Sequence, residues 1–231
     1  MPDETAPSTT TAPAESGSPS SVLKSLGCGC AALVALFALV LVVPLAGAAW
    51  NSMGSTDFPR VAPKEMGNRA FQRSQEAYDI VGFTRTVVPG VEDIGVSTEN
   101  TFSSSSCYDG GPLGLEDETI DGAYAMRHSW ALDHVPASQA KSGLRRLHQY
   151  LKDHDWEITS YREGAKGRDW DLFVQRDDGD ERMSFTWYRD REYFTGGATV
   201  PCAYDPAWKS GDSELPGGDQ GPPAFGPRNG T

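Results

Sequence analysis

From Ala123 onward apolar and polar residues alternate: Tyr124, Met126, Trp130 and Leu132 fall to one side, Arg127, Ser129 and Asp133 to the other. That period of two predicts a half-buried strand. His128 lies on its apolar side, where a lone imidazole reads as a hydrogen-bonded core residue rather than a ligand. Val135-Pro136 ends the run. The period then becomes helical over 138–154, with Ala140, Leu144, Leu147 and Leu151 on one stripe and Arg145, Arg146, Gln149 and Lys152 outside it. Four more strands are predicted as a meander: one around Trp156 and Ile158, one around Trp170, Leu172 and Val174, one around Met183, Phe185 and Trp187, and a last one over 193–202. Turn signals over 164–167 and at Asp178-Gly179-Asp180 separate them.

Upstream, residues 64–79 carry Met66, Ala70, Phe71, Ala77 and Tyr78 among charged and amide residues, a helical pattern, before Val88-Pro89-Gly90 breaks it. Residues 91–121 are rich in Gly, Ser and acids, contain no Lys or Arg, and read as a long loop. The acids from Glu92 to Asp121 keep the domain soluble or favour a cationic partner. The expected fold class is α+β: a two-layer domain over 64–205, with an antiparallel sheet of about five strands and a packed helix. Trp130, Leu144, Leu147, Leu151, Trp170, Leu172, Phe185 and Trp187 should share its core.

The ends of the chain read differently. Residues 1–24 are a Pro, Ser, Thr and Ala tract that buries nothing and is expected to be disordered, with Thr9, Thr10 and Thr11 either solvated or kinase targets. Residues 25–50 are expected to form a transmembrane helix, because 26–50 holds no charge and 31–43 is apolar throughout. A cleaved signal peptide is the alternative, suggested by Pro44 and by Ala46-Gly47-Ala48; against it, the preceding segment is acidic, with Lys24 its one basic side chain. Residues 51–63 read as a linker and 206–231, loaded with Gly and Pro, as a disordered tail. Flanking charge (Lys24 against Arg60, Lys64 and Arg69) points the domain inward. Long domains translocate largely regardless of charge, and the cysteines suit an oxidising compartment. The expected orientation is therefore N-terminus cytoplasmic and domain outside.

Cys28 and Cys30, at the start of the apolar run, read as small residues tolerated in a membrane helix, with paired metal ligation the alternative. Cys107 and Cys202 are the two cysteines beyond the anchor, and a bridge between them is expected, two unrelated thiols being the other reading. Closing a loop of about 95 residues would stabilise the chain by roughly 4–5 kcal/mol.

The net charge of −12 excludes a nucleic-acid or anionic-membrane-surface partner. No nucleophile elbow, P-loop, dinucleotide fingerprint or metalloprotease helix is present. His148 and His154 miss the i, i+4 spacing of a helical zinc site. The acidic turn of Asp177, Asp178, Asp180 and Glu181 lacks the alternating ligand loop of a calcium site and reads as a solvated hairpin. Asp169 and Asp171 point the same way from a strand, as a pair of glycosidase carboxylates would, but read as charges on a solvent face. No catalytic, cofactor-binding or metal residue is therefore assigned, and Cys107 and Cys202 stand as the site residues of a disulfide.

A cysteine ahead of the first strand, Ser129-Trp130-Ala131-Leu132 with Val135-Pro136, the Leu-spaced helix, Asp155-Trp156-Glu157-Ile158, a meander and Pro201-Cys202 together resemble a group of exported, membrane-tethered actinobacterial proteins of unassigned function. The similarity covers roughly 107–202. It implies an extracytoplasmic α+β domain and carries no activity. The expected role is a non-catalytic module binding an envelope protein or cell-wall component, the alternative a hydrolase using His128 or His134 with a nearby acid.

Overall fold

The computed structural model describes residues 57–93, 95–109, 118–164 and 168–228. The expected tail over 1–24, the anchor over 25–50 with Cys28 and Cys30, and residues 51–56 of the linker lie outside them. Among the described residues no helix is long and apolar enough to cross a membrane.

The described chain is α+β, with two helices on one face of an antiparallel sheet of eight strands. Helix α1 spans Pro63–Val81 and starts on a proline whose missing N–H is no loss in a first turn. It stops at Gly82, which takes the left-handed conformation (φ 79°) and donates its N–H to the Tyr78 carbonyl. Strands β1 (Gly90–Val91), β2 (Glu99–Asp109) and β3 (Glu118–Leu132) follow, then α2 (Ala137–Asp153). Strands β4 (Glu157–Arg162), β5 (Trp170–Arg176), β6 (Glu181–Tyr188), β7 (Tyr193–Thr199) and β8 (Ala203–Tyr204) complete the sheet.

The sheet order is β1-β2-β3-β7-β6-β5-β4, with β8 paired to the early part of β3. The chain thus leaves β3, crosses through α2 to the far edge at β4, and meanders back strand by strand until β7 pairs with β3. Helix α1 lies over β3 and β7, and α2 over β4 and β5. All eight residues expected to share the core belong to one buried cluster. The Trp187 indole N–H donates to the Val135 carbonyl at 3.0 Å, which pins the entry to α2.

Three expectations differ from the structure. Residues 91–121 are not one loop: β2 occupies Glu99–Asp109 and β3 begins at Glu118, so Cys107 lies within a strand rather than ahead of the first one. Along Ser103-Ser104-Ser105-Ser106 the ladder to β3 supplies the stability that side-chain burial does not, so the segment shows no apolar alternation. The sheet accordingly has eight strands instead of five, and two helices pack on it.

The C-terminal segment over 206–228 also folds back on the domain instead of being a disordered tail. Phe225 is fully buried, and its backbone exchanges hydrogen bonds with Val87 at 2.6 and 2.8 Å. Its ring meets Phe71, Tyr78, His128 and Trp130 with centroids 4.5–5.7 Å apart. One large aromatic side chain, seated in an aromatic core, holds a segment whose composition alone buries almost nothing.

Candidate functional site

Because successive strand residues point to opposite faces, the strands that build the core also build a second face that the helices leave uncovered. Sheet register arranges it in rows. Ser103, Arg127, Thr199, Arg182 and Gln175 lie side by side across β2, β3, β7, β6 and β5. The next row reads Thr101, Ser129, Gly197, Ser184 and Phe173. One step along each strand, His128, Ala198, Met183 and Val174 point into the core.

Arg127 lies flat on this face. Its Nε donates to Ser129 Oγ and its Nη2 to Ser184 Oγ, each at 3.2 Å, so the side chain crosses β7 to reach β6. Gly197 makes room for that path: a Cβ there would lie 3.0 Å from Arg127 Nη2. Its neighbour Gly196 does the same on the core face, where a Cβ would come within 2.2 Å of the Trp130 indole. Arg182 donates its Nε to the Gly179 carbonyl. Among the described residues neither Arg127 nor Arg182 has a carboxylate partner, whereas Arg69, Arg73, Arg85, Arg145, Arg162, Arg176 and Arg228 each have one. These two guanidiniums border a cleft of about 910 Å³, with Ser105, Thr159, Ser184 and Thr199 and the exposed ring of Phe173 in its wall. Cys107 and Cys202, disulfide-bonded with Cα atoms 6.2 Å apart, close one end.

The residues considered for catalysis lie elsewhere and apart from one another. His128 is fully buried, its Nε2 2.8 Å from Asn100 Oδ1 and its ring edge-on to Phe71, Phe102 and Phe225. The Asn100 amide nitrogen donates to the Pro223 and Val87 carbonyls, so Oδ1 is the atom facing the imidazole and Nε2 is the donor. Nδ1 has no partner. Burial pushes the His128 pKa down to about 3, which keeps the ring neutral. His134 is exposed and pairs with Asp133 at 2.7 Å. His148 stacks on Tyr161 and His154 on Tyr150, on the outer side of α2.

The acids expected on solvent faces divide. Asp169 accepts the Arg189 backbone N–H at 3.1 Å. Asp171 is only 4% exposed, because Arg162 Nε at 2.7 Å and the Ser160 hydroxyl at 3.2 Å enclose it. Glu181 is likewise buried rather than part of a solvated hairpin: Arg73 at 2.6 Å and Arg176 at 2.7 Å neutralise it from α1 and β5. A buried carboxylate without such partners would cost several kcal/mol. Among the described residues no three His, Cys, Asp or Glu side chains gather as a metal site would require.

No protein-family model matches the chain, and no curated protein matches it. Among solved structures it is similar to a crystal structure of a DUF4853 family protein from Actinomyces odontolyticus ATCC 17982, at 12% identity over 68% of this chain and 78% of that one, with a TM-score of 0.36. A likeness at that level carries no argument about fold or activity.

Sequence reasoning placed Arg127 on the polar face of its strand but gave it no role, and passed over Arg182 entirely. Their signal is an excess of unpaired arginine on one face, and it becomes visible only once β7 is set between β3 and β6.

Proposed function

We propose that the chain is a single-pass membrane-anchored protein, N-terminus in the cytoplasm, whose folded domain stands outside and acts by contact rather than catalysis. In this reading the uncovered sheet face binds an envelope component. One observation carries it: Arg127 and Arg182 flank Thr199 in one row of that face, beside a cleft of about 910 Å³, without a carboxylate partner among the described residues. By contrast Arg69, Arg73 and Arg228, which border another cleft, each pair with a carboxylate of the chain, so Arg127 and Arg182 keep their charge for an outside group.

The location rests on the charge-free 26–50 segment and on the Cys107–Cys202 bond, which suits an oxidising compartment. The hydrolase alternative has less support: His128 has an amide and aromatic rings around it in place of a carboxylate, and His134, which does pair with Asp133 at 2.7 Å, does not line the cleft. Impermeant thiol labelling of intact cells carrying a cysteine at exposed Val88 tests the location. Labelling without lysis is expected, and labelling solely after lysis would overturn it. Retention of the full chain on isolated envelope, compared with an Arg127→Gln, Arg182→Gln double variant, tests the binding face.

A further inference from the structure

The chemistry of the uncovered face narrows what it takes. Two guanidiniums flanking one hydroxyl, in a chain whose net charge is −12, select an anionic group: planar donors match carboxylate and phosphate oxygens two at a time. Adjacent strands are about 4.8 Å apart, so Arg127 and Arg182, with β7 between them, can close on one such group from both sides. The rest of the cleft is mixed: Ala125, Val174, Met183 and Val200 line it beside hydroxyl-bearing residues. Thr199 presents a hydroxyl, Ser184 a hydroxyl that accepts from Arg127 and keeps its proton to donate, and Thr159 an oxygen that can accept while its proton goes to the Phe173 carbonyl. Phe173, 38% exposed, presents an aromatic surface in the row next to the arginines. Asp180 also lines the cleft, and it pairs with neither arginine among the described residues.

A pair of cations, several hydroxyls and a half-open ring meet the three parts of one ligand class. From this juxtaposition we infer that the cleft binds an anionic carbohydrate, a sugar carrying a carboxylate or a phosphate. Arg127 and Arg182 hold the charge, the hydroxyls exchange hydrogen bonds with the sugar's own, and Phe173 covers the C–H side of the ring. Gly197 keeps the floor low where Arg127 crosses it. The inference rests on the uncovered face being the binding surface and adds the class of ligand.

The test is a titration of the full, ¹⁵N-labelled chain in detergent micelles with four probes: glucuronic acid, glucose 6-phosphate, glucose and inorganic phosphate. Both anionic sugars are expected to shift the amides of Arg127, Gly197, Thr199 and Arg182, and to bind at least tenfold more tightly than glucose or phosphate alone. Arg182→Gln should abolish that advantage and Phe173→Ala should weaken sugar binding about tenfold, each with an otherwise unchanged spectrum. Phosphate binding as well as glucose 6-phosphate would overturn the sugar assignment, and glucose binding as well as either would overturn the role of charge. If neither anionic sugar touches this face, the ligand class is wrong. The binding-face reading itself then stands or falls separately, on whether the double arginine variant loses envelope retention.

Discussion

His128 donates its Nε2 proton to Asn100 Oδ1 at 2.8 Å, and Asn100 in turn fastens the C-terminal segment through the Pro223 carbonyl at 2.9 Å. Among the described residues a charged ring would have no acceptor for its second proton, since Nδ1 is buried without a partner there. Unfolded, the imidazole titrates near 6.5; folded, burial holds it down to about 3. Between those values the unfolded chain binds the extra proton. Stability is therefore full above about pH 6.5 and falls as pH drops toward 3, by up to about 1.4 kcal/mol per pH unit. Denaturant unfolding at pH 7 and pH 5 should differ by on the order of 1–2 kcal/mol from this group, a window above most carboxylate titration. His128→Leu should be less stable at pH 7 yet lose most of that difference. An unchanged pH dependence in the variant would contradict the assignment.

Phe225 closes the aromatic cluster that Tyr78 and Trp130 begin. Truncating a buried aromatic residue to alanine costs about 3–5 kcal/mol. Phe225→Ala should lower unfolding stability by that amount, and removal of 222–231 by at least as much. A truncated chain that melts like the whole one would show that the segment only rests on the surface.

Gly196 lies beneath the Trp130 indole, which Phe194 stacks from the side at 5.5 Å and Tyr78 meets edge-on. The ring has nowhere to move. Gly196→Ala should therefore destabilise by about 1–3 kcal/mol, the cost of overpacking a core, read as a lower denaturant midpoint at unchanged slope.

The Cys107–Cys202 bond joins β2 to the segment after β7 and closes a loop of 95 residues. Replacing either cysteine by serine should cost about 2–5 kcal/mol. Non-reducing peptide mapping of the native protein should recover the two peptides linked, and recovery of both as free thiols would refute the bond.

How much of this was legible follows from where each element gets its stability. Strand β3 and helix α2 are written in periodicity, because Trp130, Leu132, Leu144 and Leu147 bury apolar area against one another. Strand β2 is not, because Asn100 is buried by hydrogen bonds and the serines that follow pair through the backbone. Phe225 is a single apolar residue in a Gly/Pro run, and no window average registers it. Asp171 falls on the outward phase of β5 and Glu181 on the inward phase of β6 with Met183 and Phe185, and both carboxylates are enclosed by arginines from other elements, which alternation along one strand does not show. The pairing of Arg127 with Arg182 depends on β7 returning between β3 and β6, a matter of sheet order that alternation along one strand does not encode.

The claim that the uncovered face binds through Arg127 and Arg182 is tested most directly by equilibrium retention of the full chain on isolated envelope. The native chain is compared with the Arg127→Gln, Arg182→Gln double variant at matched, native-like circular dichroism. A charge-assisted hydrogen bond contributes about 1.5–3 kcal/mol, so retention should weaken at least tenfold, and added salt should weaken the native chain more than the variant. Equal retention of the two folded proteins at every salt concentration would contradict it.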